Sequence, residues 1–178
     1  MTQNLITNDS SFGGKFITQF RDELSLSSGL VIASGYFGAA TISELESSLV
    51  KIGSKGICKI LLGMVYFGGV SKKQLNALTD LDIKLRSANP QNGVFITKKE
   101  YHGKVYKFIG SEKDSRIYVG SSNFSPNGFE YRRECNLVVE DPKLKDNISK
   151  YLEFLFNDKD THNLDEVELS RKSRKKSA

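Results

Sequence analysis

The stretch from Gly29 to Leu62, GLVIASGYFGAATISELESSLVKIGSKGICKILL, changes periodicity twice. Leu30 to Ala33 is a short continuous apolar run behind a glycine, and Cys58 to Leu62 is another. Runs of that length between turn residues fit buried strands. Between them Ile42, Leu45 and Leu49 recur at spacings of three and four, the apolar stripe of a helix over Thr41 to Val50. Gly53-Ser54-Lys55-Gly56 then turns the chain. Strand, helix and strand in this order form the unit that lays parallel strands side by side with a helix on the sheet.

The rhythm extends both ways. Upstream, Phe16, Ile17, Phe20 and Leu24 give a helix over Lys15 to Leu24. Downstream, Ser71 stands at a cap position before Leu75 and Leu78, which predicts a helix over Ser71 to Leu81. Ile83 to Arg86 follows as a third strand. The pattern then becomes strand-rich, with Val94 to Thr97, Lys104 to Ile109 and Ile117 to Gly120 close together. The polar turn Gly110 to Ser115 predicts an antiparallel hairpin between the last two. Cys135 to Val139 is expected as the final strand, and Pro142 opens a helix to about Phe156. The expected fold class is α/β with α+β character in its second half, a mixed β-sheet flanked by helices. Residues 1–158 are expected to form one domain, and 159–178 a polar tail or linker with a basic end.

A chain of 178 residues with 38% apolar residues fits a single domain with a real core. It has no apolar run long enough to span a bilayer, and Met1-Thr2-Gln3-Asn4 lacks the features of a signal peptide. Cys58 and Cys135 both lie in apolar segments and are expected as buried free thiols. A cytoplasmic location away from membranes follows as the expectation. The net charge of +5 is carried by the end of the chain, because Arg171 to Lys176 hold five positive charges and the preceding residues balance. Such a tail can bind phosphates without specificity.

The chemistry concentrates in Tyr101-His102-Gly103-Lys104, Gly120-Ser121-Ser122-Asn123 and Glu134. His102 is one of only two histidines, so its placement two residues from a lysine is informative. Residues two apart on a strand share a face, which joins His102 and Lys104 and sends Val105, Lys107 and Ile109 the other way. Imidazole can attack phosphorus or move a proton. Lys104 brings a charge and three donors for phosphate oxygens, while Asn123 and Ser121 bring neutral donors. Glu134 can orient the histidine through its second ring nitrogen. Arg132, Arg133 and Lys107 are candidate contacts to flanking phosphates. The loops Tyr36-Phe37 and Tyr66-Phe67 line the site, a seam between two chains, or the core.

This combination resembles the active-site signature of the phospholipase D superfamily. The asparagine lies nineteen residues after the lysine and the glutamate eleven residues beyond it. The segment Ile117 to Ser125 is especially similar, and the nuclease branch with metal-independent restriction endonucleases is the nearest match in pattern. The superfamily usually carries an aspartate five residues after the lysine, where this chain has Ile109. That departure argues against a standard lipid hydrolase. The resemblance implies a phospholipase-D-like fold and two copies of the motif per active site. A chain with one copy is then expected to act as a homodimer with its site at the interface. One His102 would form a phosphohistidine and the other protonate the leaving oxygen, with Lys104, Asn123 and Ser121 holding the phosphate and Glu134 orienting its histidine. No cofactor and no metal are implied. The expected substrate is double-stranded DNA in a type II restriction system, with base recognition by a separate or missing domain. The alternatives are a phosphodiesterase or phospholipase acting on another substrate, and a catalytically silent DNA-binding dimer.

Overall fold

The computed structural model describes residues 4–110 and 115–171. In chain order these are β1 (Leu5–Ile6), α1 (Phe16–Leu26), β2 (Gly29–Ser34), α2 (Ala39–Lys55), β3 (Cys58–Leu62), α3 (Val65–Gly68), α4 (Lys72–Ala88) and β4 (Gly93–Thr97). Then come β5 (Lys104–Ile109), β6 (Ser115–Gly120), a π turn (Asn127–Tyr131), β7 (Asn136–Val139), α5 (Pro142–Asn157) and β8 (Thr161–Asn163). The strands form one mixed sheet in the order β1-β7-β6-β5-β2-β3-β4-β8. Strands β2, β3 and β4 are parallel, and β5, β6 and β7 add to the β2 side antiparallel. The expected α/β architecture with a mixed sheet and flanking helices is the one observed.

Two apolar layers cover the sheet. One face carries the larger core, where Phe16 and Phe20 of α1, Ile42, Leu45 and Leu49 of α2 and Leu78, Leu81 and Leu85 of α4 meet Ile32, Ile60, Tyr106 and Phe108. Phe16 packs edge to face on Tyr106 at 5.0 Å, and Phe20 on Phe108 at 5.2 Å. Such geometry adds to plain area burial. The opposite face is covered by α5, whose Leu152 joins Val105, Ile117 and Val139.

Several boundaries differ from expectation, each for a physical reason. Gly53 does not turn the chain but lies inside α2, where a side chain would strike the Asn92 amide. Asn92 is buried there, accepting the Cys58 N–H at 2.8 Å and donating to Gly53 O at 2.9 Å. Ile83 to Arg86 is not a strand, because α4 runs on to Ala88. Leu78, Leu81 and Leu85 continue one helical stripe, and no glycine or proline interrupts it before Asn89-Pro90. The capping box between Ser71 and Gln74 starts that helix at the expected place. The third parallel strand is therefore Val94's segment, paired with β3 rather than grouped with the antiparallel strands.

Cys135 is exposed, while Cys58 is buried and burial pushes its thiol up to about 12. Strand β7 is followed by β8, which pairs antiparallel with β4. Leu164 and Leu169 are buried beyond it, and Arg171 bridges to Val70. The expected break after Asp158 thus does not separate packed from unpacked chain. The basic run after Arg171 and most of the polar turn at 111–114 lie outside the described residues. Among the described residues no helix is long and apolar enough to cross a membrane.

Candidate active site

The carboxyl ends of β2, β3 and β6 and the starts of β5 and β7 meet at one edge of the sheet, where Lys104 pairs with Ser34 and Gly120 with Asn136. Side chains there can converge from several strands, as they do at ligand sites of sheet proteins. The Tyr101–Gly103 segment crosses this edge on a bed of glycines. A Cβ at Gly63 would collide with the Tyr101 carbonyl, and one at Gly103 with the Tyr101 phenol. A Cβ at Gly35 would come within 3.2 Å of His102 Cδ2. His102 is thereby held close to the end of β2 while its side chain stays exposed.

Lys104 is the buried member of the pair. Its Nζ lies 2.9 Å from His102 Nδ1 and 3.3 Å from Nε2, and it also donates to the His102 carbonyl. Burial lowers its pKa below the ordinary 10.5, an effect partly offset by the negative charge of Glu134. Glu134 and Lys104 therefore feel each other across the site. The Glu134 carboxylate accepts a hydrogen bond from the Ser121 hydroxyl, and Ser121 Oγ in turn accepts the Cys135 N–H at 3.0 Å. The expected contact from Glu134 to the imidazole is not made in this arrangement; Ser121 occupies the carboxylate instead.

Asn123 is fixed from the opposite side. Its Oδ1 accepts the Tyr36 N–H at 3.1 Å, which leaves the amide nitrogen free to donate. The π turn packs beneath it, since a Cβ at Gly128 would strike the Asn123 backbone. Behind the motif stand residues that the sequence did not single out. Ser122 is fully buried, and its carbonyl accepts the Tyr106 hydroxyl at 2.7 Å. Its Oγ accepts from Asn136 Nδ2 at 2.7 Å. Ser34 Oγ accepts the Phe124 N–H at 3.1 Å and donates to Tyr36 O at 2.8 Å. Polar residues at the end of an apolar strand, Ser34 and Asn136, were the available signal.

Tyr36 also enters the site, its ring edge to face with His102 at 5.7 Å, whereas Phe37 is core. Arg132 and Arg133 are exposed on the segment leading to Glu134, Arg133 lying 3.7 Å from Asp9. Lys107 is not part of this cluster. Strand parity turns it to the α5 face, where its Nζ donates to Ser149 Oγ at 2.8 Å. Among the described residues no three His, Cys, Asp or Glu side chains gather as a metal-holding group.

Residues 15–169 match the family model of the NgoFVII restriction endonuclease N-terminal PLD domain. The chain belongs to that family. No curated protein matches it by sequence. Among solved structures, the phospholipase D family member Nuc from Salmonella typhimurium superposes with a TM-score of 0.61 at 16% identity, covering 89% of this chain and 96% of Nuc. NucT from Helicobacter pylori gives 0.61 at 17% identity, covering 90% and 97%. A polyphosphate kinase from Porphyromonas gingivalis gives 0.62 at 11% identity over 98% of this chain. The chain spans only 26% of that kinase. At these identities the likeness establishes a phospholipase-D-like fold, which the PLD domain of this family shares.

Proposed function

We propose that this chain is a metal-independent endonuclease that hydrolyses DNA phosphodiesters through a phosphohistidine, as the catalytic part of a restriction system. The observation that carries the reading is one exposed imidazole flanked by a buried ammonium, with Asn123 and the Ser121–Glu134 pair around it. An entering phosphate offers Lys104 Nζ better acceptors than the imidazole nitrogens. It draws the ammonium off the ring and frees a nitrogen to attack phosphorus. The amide of Asn123 and the Lys104 charge then face the non-bridging oxygens, where fixed donors lower the barrier most.

Attack breaks the bond to the leaving sugar oxygen, which needs a proton, and the resulting N–P bond must later yield to water. A single imidazole cannot be both the phosphorylated atom and the acid. A second chain's His102 supplies the proton and then activates the water, so the working unit is a homodimer with the phosphate between two copies. Glu134 steadies this centre through Ser121 and its field on Lys104. Arg132 and Arg133 extend the positive surface for flanking phosphates. The family description supports the restriction context. Base-specific recognition falls to another domain or subunit.

The test is cleavage of supercoiled plasmid in EDTA by wild type and His102→Ala. Wild type is expected to nick and linearise; His102→Ala is expected to lose activity by at least about 10³-fold with unchanged sedimentation. Cleavage surviving in His102→Ala would sink the proposal. Turnover of phosphatidyl lipid in place of DNA would move the substrate class.

A further inference from the structure

Helix α3 is a single turn with Val65 buried and Tyr66 and Phe67 left in solvent at 37% and 46% exposure. The two rings meet edge to face at 5.4 Å, a geometry that leaves ring surface open. The Lys98 ammonium sits 6.0 Å from the Tyr66 centroid. This turn is tied to the candidate active site. Gly63 N–H donates to Ser34 O and Met64 N–H to Gly35 O, both at 2.9 Å. A Cβ built on Gly68 would lie 4.0 Å from Tyr36 Cε1, and Tyr36, itself 41% exposed, reaches His102. Two loops tied by backbone hydrogen bonds thus carry a ledge of three aromatic rings, with Tyr36 against the imidazole and a cation near Tyr66.

We propose that Tyr36, Tyr66 and Phe67 form a stacking platform for a nucleobase beside the scissile phosphate, unpaired from its complementary strand. The inference rests on the endonuclease reading and names the form of DNA that the site accepts. Core packing does not account for the ledge, because Val65 and Phe37 fill the buried positions of the same two loops. Aromatic faces next to a cation are the chemistry that holds a base and its adjoining phosphate together. Every base has a π-face, so the platform is indifferent to sequence and leaves recognition to another element. A base still paired within a duplex cannot reach such a surface. The platform therefore favours single-stranded, frayed or flipped substrates over intact duplex.

The test measures binding of the full chain, in EDTA, to a fluorescein-labelled 12-nucleotide single strand (a chosen probe length, about one single-strand site) and to the same backbone with abasic residues. His102→Ala serves as the background so that neither probe is cut. The expected result is about ten-fold tighter binding to the base-bearing strand. Tyr66→Ala with Phe67→Ala is expected to abolish that preference and leave the abasic affinity unchanged. Tyr66→Leu with Phe67→Leu retains apolar bulk without a ring and is expected to lose the preference equally. Equal binding of both probes by the parent chain, or a preference that survives the double variants, overturns the platform. So does a lost preference that comes with a changed sedimentation coefficient, which would assign the rings to a second copy of the chain. A chain that prefers bases yet never cuts plasmid keeps the platform and removes the endonuclease reading; one that cuts but shows no preference does the reverse.

Discussion

At the scale of single residues, Lys104 joins stability to function. Its side chain is buried, and burial disfavours its protonated form. The sign follows directly. A lysine whose pKa falls on folding destabilises the fold while it is charged, and that cost fades as pH rises through the lowered value. Lys104→Met removes the buried charge and retains the stem, so Tm is expected to rise by a few degrees while cleavage is lost; a clear fall in Tm would contradict it. In the wild type the ammonium must stay protonated to hold phosphate. The alkaline limb of kcat/KM is therefore expected below 10.5, the ordinary lysine value. A plateau extending beyond that pH would remove Lys104 from the reaction. Gly35 makes a second point. A methyl group there would come within 3.2 Å of the His102 ring, tight enough to push it. Gly35→Ala is expected to cut kcat by about 10- to 100-fold with little change in Tm, because small misplacements of a reacting group are costly. Side-chain chemistry joined to the family resemblance singled out His102, Lys104, Ser121, Asn123 and Glu134 as candidates, and the fold brings them to one end of the sheet. Strand parity already set Lys107 apart from Lys104, and it faces α5. Ser34 and Asn136 offered only their polarity at the end of an apolar strand as a signal, and the Phe124 partner of Ser34 lies ninety residues away.

Among the elements, α4 shows where periodicity was under-read. Leu85 continues the stripe of Leu78 and Leu81 through Ile83 to Arg86, the segment expected as a strand. Two charges on this stretch, Asp82 and Arg86, tie it to its neighbours. Asp82 Oδ1 accepts the Val94 N–H at 2.6 Å, and its Oδ2 accepts Arg86 Nε at 2.9 Å. Arg86 continues to Asn163 Oδ1 at 3.0 Å, so one chain of polar contacts joins α4, β4 and β8. Strand β8 is short and polar, which is why it read as part of a tail. Asp82 is almost fully buried, and losing it would strand both the Val94 N–H and the Arg86 charge. Asp82→Ala is expected to cost about 3 kcal/mol in urea unfolding, near the lower end for breaking a buried pair. Asp82→Asn can still accept from Val94 and should recover part of that loss. A change under about 0.5 kcal/mol for the alanine variant would mean that the network carries little stability.

For the whole molecule, the sheet places one copy of the motif at one edge, and the proposed chemistry asks for two imidazoles. The expectation of a homodimer rests on the resemblance, which implies two copies of the motif per site where this chain holds one. It has a quantitative consequence. If each phosphate is cut between two copies of His102, a dimer of one wild-type and one His102→Ala chain is inactive. Co-refolding the two chains at increasing proportions of the variant should make activity fall with the square of the wild-type fraction, to about a quarter at equal mixing. A chain that cuts with one imidazole would instead lose activity in proportion, keeping about half. The two curves differ most near equal mixing, where a plasmid assay resolves a two-fold difference. The variant must exchange partners freely for the comparison to hold. This is checked by placing an affinity tag on the variant alone and recovering wild-type chain with it. A linear decline with proven exchange would retain the fold and the phosphate-binding cluster but leave the second imidazole without a role.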